Sequence, residues 1–218
     1  MRLSHSEELV VCYEGCSNDR ATLAKCSVTV TLVNVLKEEW QIKDELNHLA
    51  DKLSAMNCAL RPIKEQKVID WEKLWGVELP ATYRRFITEI ADGVVLPRTT
   101  VVPLEKSMTT ARGSNWLPSQ LPPDFLQKPF LYERDFNPDS MPNYEKIVGR
   151  MSDEEYSMWW LQHLHGTNLV ADFGNDKSLF LIVSGNSHGQ VWADYSAVGR
   201  GYERCDWDFL DFILRFVV

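Results

Sequence analysis

Leu169-Val170-Ala171-Asp172-Phe173, Leu179-Phe180-Leu181-Ile182-Val183 and Gln190-Val191-Trp192-Ala193-Asp194-Tyr195 are three short, mostly apolar runs. Gly174-Asn175-Asp176 separates the first two, and Gly185-Asn186-Ser187-His188-Gly189 separates the last two. Gly, Asn, Asp and Ser are turn formers. Apolar runs this short, bounded this way, read as strands rather than helices. Connections this short join antiparallel neighbours. The stretch is therefore expected to be a three-stranded antiparallel meander, with strands near 169–173, 179–184 and 190–195. Downstream, Trp207, Leu210, Ile213 and Leu214 are helically spaced, so Asp206–Val218 is expected to close the chain as a helix.

Upstream the period is helical. Ile42, Leu46, Leu49, Leu53 and Met56 draw one apolar stripe, with Lys43, Glu45, Asp51 and Lys52 facing away. Asp70–Gly76 reads as a short helix capped by Asp70 and stopped by Gly76. Leu79-Pro80 opens another, with Tyr83, Phe86, Ile87 and Ile90 on its buried side and Asp92-Gly93 at its end. Ser152-Asp153-Glu154-Glu155 fits the capping box, so a helix should run to about His165. Thr99–Leu104 and Lys128–Tyr132 read as short strands. Around the latter, Pro118, Pro122, Pro123, Pro129, Pro138 and Pro142 leave no room for a helix. Residues 1–35 read as an extension with strand signals at Cys26–Val35 and Leu9–Tyr13, and 36–218 as a single domain. The fold class expected is α+β: helices packed on one mixed, largely antiparallel sheet.

The chain has 218 residues, enough to bury a core without disulfides or a structural metal. No apolar run exceeds five residues, against the ~20 that a bilayer requires, and the N-terminus lacks the apolar stretch of a signal peptide. A cytoplasmic protein without a membrane partner is expected. Five cysteines at irregular spacing, Cys12, Cys16, Cys26, Cys58 and Cys205, suit reduced thiols. The net charge of −8 argues against nucleic acid as a partner, since phosphate binding is driven by basic surface. Residues 151–218 hold ten acids and four bases, so this third carries most of the excess. It suits either a solvated surface with acids at helix starts or a face that meets a basic partner.

Two longer stretches carry a resemblance. Trp71-Glu72-Lys73-Leu74-Trp75-Gly76-Val77-Glu78-Leu79-Pro80-Ala81-Thr82-Tyr83-Arg84-Arg85-Phe86, ending in Asp92-Gly93, resembles the helix, G-x-x-L-P, Y-x-x-F and polar-Gly pattern of the SUKH superfamily. Asp172-Phe173-Gly174, Leu179–Val183 and Gly189-Gln190-Val191-Trp192 resemble its D-x-G, apolar and G-x-V-W strands. Leu126-Gln127-Lys128-Pro129-Phe130 resembles its L-x-x-P-F strand. The likeness spans roughly Val68–Val218 and departs at Asp92-Gly93, where the family usually has Asn-Gly. That superfamily includes fungal cell-wall-assembly regulators and bacterial toxin-immunity proteins. The resemblance implies a non-enzymatic α+β binding domain without cofactor. Its partner would be a protein, in first place a toxin domain such as a nuclease, encoded beside it. A regulatory or scaffold role is the alternative.

No G-x-S-x-G, P-loop, G-x-G-x-x-G or H-E-x-x-H motif occurs. His163 and His165 on a helix would diverge by about 200°, which suits solvated histidines rather than metal ligands. Cys205 with His188 lacks any local nucleophile signature. Trp71, Trp75, Trp207 and Phe86 read as core. Trp192 lies either under a helix or on an open sheet face beside Asp194. The expected partner-binding face gathers Asp172, Asp176, Asp194, Asp206 and Asp208 around one rim, with Trp192 and Tyr202 as apolar anchors. Oligomeric state is not legible in the sequence.

Overall fold

The meander forms, and it extends beyond the three runs. The computed structural model describes residues 40–108, 121–174 and 177–217. Strands β1 (Val94–Leu96), β2 (Thr99–Val101), β3 (Thr167–Gly174), β4 (Lys177–Ile182), β5 (Gln190–Tyr195) and β6 (Gly201–Asp208) lie in sequence order in one sheet. Every pairing is antiparallel, so the sheet is not mixed. The fold is α+β, with six helices among the described residues: α1 (40–55), α2 (Glu65–Trp75), α3 (Ala81–Glu89), α4 (Tyr144–Val148), α5 (Asp153–Gln162) and α6 (Phe209–Phe216). None is long and apolar enough to cross a membrane. The compact unit holding the sheet is Glu45–Val218.

Local chemistry sets most helix ends. Leu46, Leu49 and Leu53 of α1 are buried, as their spacing predicts. The Ser152 hydroxyl accepts from the Glu155 amide at 3.3 Å, and the Glu155 carboxylate accepts from the Ser152 amide at 2.7 Å. Together they form the expected capping box of α5. Gly76, at φ 65°, takes the left-handed turn that ends α2. Glu72 then accepts from the Leu79 amide at 2.9 Å and from Arg84 Nε at 3.2 Å, which joins α2 to α3. Asp70 is not a cap: α2 begins five residues earlier, and Asp70 accepts from Gln66 on its own surface. Asp92 accepts from the Leu104 amide at 2.7 Å, tying the end of α3 to the segment after β2.

Two expected elements differ. Lys128–Tyr132 is not a strand; one backbone bond, from Phe130 to the Ser184 carbonyl, holds it to the sheet. The closing helix starts at Phe209, because residues 201–208 pair with β5 as β6. The early strand signals at Leu9–Tyr13 and Cys26–Val35 lie outside the described residues.

Both sheet faces of the central strands are buried. Trp192 and Phe180 are cross-strand partners and share a face. Phe130 covers them, with ring centroids 4.9 and 5.8 Å away, and Trp160 of α5 reaches Tyr202 at 6.3 Å. The alternating set Leu179, Leu181, Val191 and Ala193 is buried as well. Helix α6 packs on β5, β6 and α3, with Phe209 against Tyr83 at 4.7 Å and Phe86 at 5.2 Å.

Candidate functional site

The proline-rich segment decides where a partner can reach the sheet. Residues 125–136 run over the face that bears Trp192, so the open face expected beside Asp194 is closed. Trp192 is 0% exposed and Tyr202 1%. Neither is an anchor for a partner: both are core, because Phe130, Phe180 and Trp160 fill the space over them. Tyr202 is also bonded through its backbone N–H and C=O to Phe136, which shields that part of the β6 edge.

The acids do not share one rim. Asp172 aligns with Ser178, Ser178 with Asp194, and Asp194 with Tyr202, across one end of the sheet. Asp208 aligns with Gln190, at the start of β5. Gln190 and Asp194 are four residues apart, or about 13 Å at ~3.3 Å per residue. Asp172 accepts from the Gly174 amide at 2.7 Å, and Asp194 accepts from the Ser196 amide and hydroxyl at 2.9 and 2.6 Å. These two carboxylates build turns. Asp176 lies outside the described residues.

Asp206 and Asp208 belong instead to an open groove of about 640 Å³. One wall is the start of α3, Pro80-Ala81-Thr82; the turn His188-Gly189-Gln190 and β6 residues Arg204, Asp206, Trp207 and Asp208 complete it. Asp208 caps α6, accepting from the Asp211 amide at 2.9 Å. Burial raises the Asp208 carboxyl above the usual carboxylate range, against the opposing pull of that hydrogen bond. Asp206 is exposed. Arg204 is engaged beside the groove: its amide donates to Asp135 at 2.9 Å and its guanidinium to the Glu133 carbonyl at 3.0 Å. Trp207, expected in the core, is only half-buried, with the Arg215 guanidinium 4.7 Å over its ring. Trp71 and Trp75 are likewise half-buried, while Phe86 is core. The groove residues Trp207 and Pro80–Thr82 were not marked by the sequence reading; the alternation of Cys205 and Trp207 with Arg204, Asp206 and Asp208 was the available signal.

No family model, no curated protein and no solved structure matches the chain.

The remaining candidates resolve differently. Burial first, then Glu203, Asp135 and Asp206, push the Cys205 thiol up to about 11, which leaves little thiolate at neutral pH. His188 is exposed and its Nε2 lies 3.2 Å from the Glu78 carbonyl. His163 is not solvated: it is 6% exposed, and Tyr132 Oη lies 2.5 Å from its Nδ1. Burial pushes Tyr132 up to about 12, so its hydroxyl keeps its proton at neutral pH and shares a hydrogen bond with Nδ1. Burial first, and His165 second, lower the His163 pKa from 6.5 to about 4. An unfolded chain therefore takes up this proton first as pH falls through about 6.5, and the fold loses stability until about pH 4. Melting temperature is expected to fall by roughly 5 °C or more across that window. Thermal melts of His163→Gln should show a smaller acid-induced drop, and an equal drop would remove His163 as its source.

Proposed function

We propose that the chain is a non-enzymatic cytoplasmic protein that binds and blocks a protein partner, of the immunity type that neutralises a toxin domain. The resemblance of Trp71–Phe86 and Asp172–Trp192 to the SUKH pattern supports this reading, and the groove carries it. The α3 start has no side-chain cap, so its first backbone N–H groups are available to acceptors. Across the groove stands the exposed Asp206 carboxylate. A polypeptide supplies both complements: carbonyl oxygens for the amides, and lysine or arginine for the carboxylate. A nucleic-acid phosphate would meet Asp206 and Asp208 with like charge.

Co-expression with the protein encoded beside it tests the reading: cells should survive only when this chain is present. Equal killing with and without it would end the immunity proposal. Asp206→Lys should slow association about tenfold at low salt and less at high salt, because rim charge acts chiefly on the encounter rate. Stopped-flow binding at two ionic strengths measures this, and the thermal melt should not move.

A further inference from the structure

A second surface, sharing no residue with the groove, is built of aromatic rings. Tyr156, Trp159 and His163 are spaced three and four apart on and just beyond α5, which places them on one stripe. Trp159 lies 5.7 Å from Tyr144 of α4, 6.3 Å from Tyr156 and 4.7 Å from His163, between ring centroids. Phe136 continues the series 5.3 Å from His163, and Tyr132 stacks on Phe136 at 4.0 Å. The result is a continuous ladder from α4 across α5 to the 132–136 segment. Tyr132, Phe136, Tyr144 and Trp159 are half-buried, so part of each ring reaches the surface. Their chain neighbours Leu131 and Met158 are 70% and 44% exposed.

The charges around the ladder have one predominant sign. Exposed Glu154 and Glu155 stand one helical turn before Met158 and Trp159. The Tyr144 hydroxyl lies 3.3 Å from that of Tyr156; burial first, and then groups that include Tyr156 and the exposed Asp139 carboxylate, raise the Tyr144 pKa. From Asp139 to Trp160 the chain holds five acids and two bases. Aromatic faces attract guanidinium and ammonium groups, and carboxylates beside them add to the attraction. Partly exposed Trp and Tyr ringed by polar groups is the usual energetic layout of an interface.

We propose that this ladder is a docking surface for a protein segment that presents arginine or lysine, with the cation on the Trp159 ring within the field of Glu154, Glu155 and Asp139. The inference does not depend on the immunity reading, since its residues are separate and its test needs no toxin.

The test titrates the ¹⁵N-labelled full chain with the peptide acetyl-Gly-Arg-Gly-Arg-Gly-amide and follows the tryptophan indole N–H signals. The Trp159 signal should shift saturably, and the peptide with Glu in place of Arg should leave it in place. Met158→Lys and Glu154→Lys, both at exposed positions, should each weaken binding by about fivefold or more without moving the thermal melt. Three results would overturn the proposal: no shift at Trp159, an equal or larger shift at Trp207, or affinity unchanged in both variants while they remain folded.

Discussion

Trp192→Ala is expected to cost about 3–5 kcal/mol of stability, the range for truncating a buried tryptophan. The side chain is 0% exposed and its ring lies edge-on to Phe130 at 4.9 Å. Its removal would leave a void between β5 and Phe130, the ring that the 125–136 segment lays over it. For a protein of this size each kcal/mol moves the melting temperature by ~2–4 °C, so a drop of about 10 °C or more should appear in a circular-dichroism melt. Trp192→Phe should be much milder. The Trp192 indole N–H is buried and makes no hydrogen bond among the described residues, so phenylalanine loses ring volume but no polar partner. A Trp192→Ala protein with an unchanged melt and weakened partner binding would place this ring at the surface and contradict the packing described.

The reading of Trp192 shows what sequence periodicity reaches. Alternation in Gln190–Tyr195 identifies a strand and assigns Trp192 to the same face as Asp194. It carries no information on what lies over that face. The cover comes from Phe130, about sixty residues earlier, in a stretch whose prolines exclude helix and whose single bond to Ser184 is too sparse to make a strand. Features set by neighbours within four residues were legible: the Leu46, Leu49 and Leu53 stripe, the Ser152 capping box and the three runs of the meander.

Strand β6 was hidden for a different reason. Along β6, Tyr202 is buried, Arg204 and Asp206 are exposed, and Glu203, Cys205, Trp207 and Asp208 are half-buried; the pairing with β5 also shifts register between Gln190 and Trp192, so no regular apolar alternation marks the strand. Backbone pairing with β5 and with Phe136 holds it in place. Its acids then pass to the helix signal that follows, and Asp206 looks as good a helix start as Asp208. The structure chooses Asp208, because only its carboxylate reaches the Asp211 amide while the Asp211 side chain faces back to the Asp208 amide. The same two residues decide the candidate site. The acids were expected around one rim, but which end of the sheet each occupies depends on register, and register places Asp208 opposite Gln190 and Tyr202 opposite Asp194.

Gly166→Ala is expected to be strongly destabilising for the addition of a single methyl group. Gly166 has φ 69°, where a side chain costs about 1–2 kcal/mol by itself. An added Cβ would also lie 2.7 Å from the Lys128 carbonyl oxygen, 2.8 Å from the Phe130 nitrogen and 2.8 Å from the Ser184 carbonyl oxygen. All three are backbone atoms and cannot rotate away. They belong to the junction where Gly166 donates to the Phe125 carbonyl and accepts from Val183, and where Phe130 donates to Ser184. Opening that junction would lift Phe130 from Trp192 and Phe180. The loss should therefore exceed the conformational cost and reach about 3 kcal/mol or more, the scale of overpacking a tight core. Gly199→Ala is the matched control: its φ is 74°, yet a Cβ there would meet nothing within 4 Å. It should cost only the conformational part. Paired urea melts of the two variants separate strain from collision. Equal losses would mean that the positive φ alone matters and that the segment over Trp192 is not clamped at Gly166.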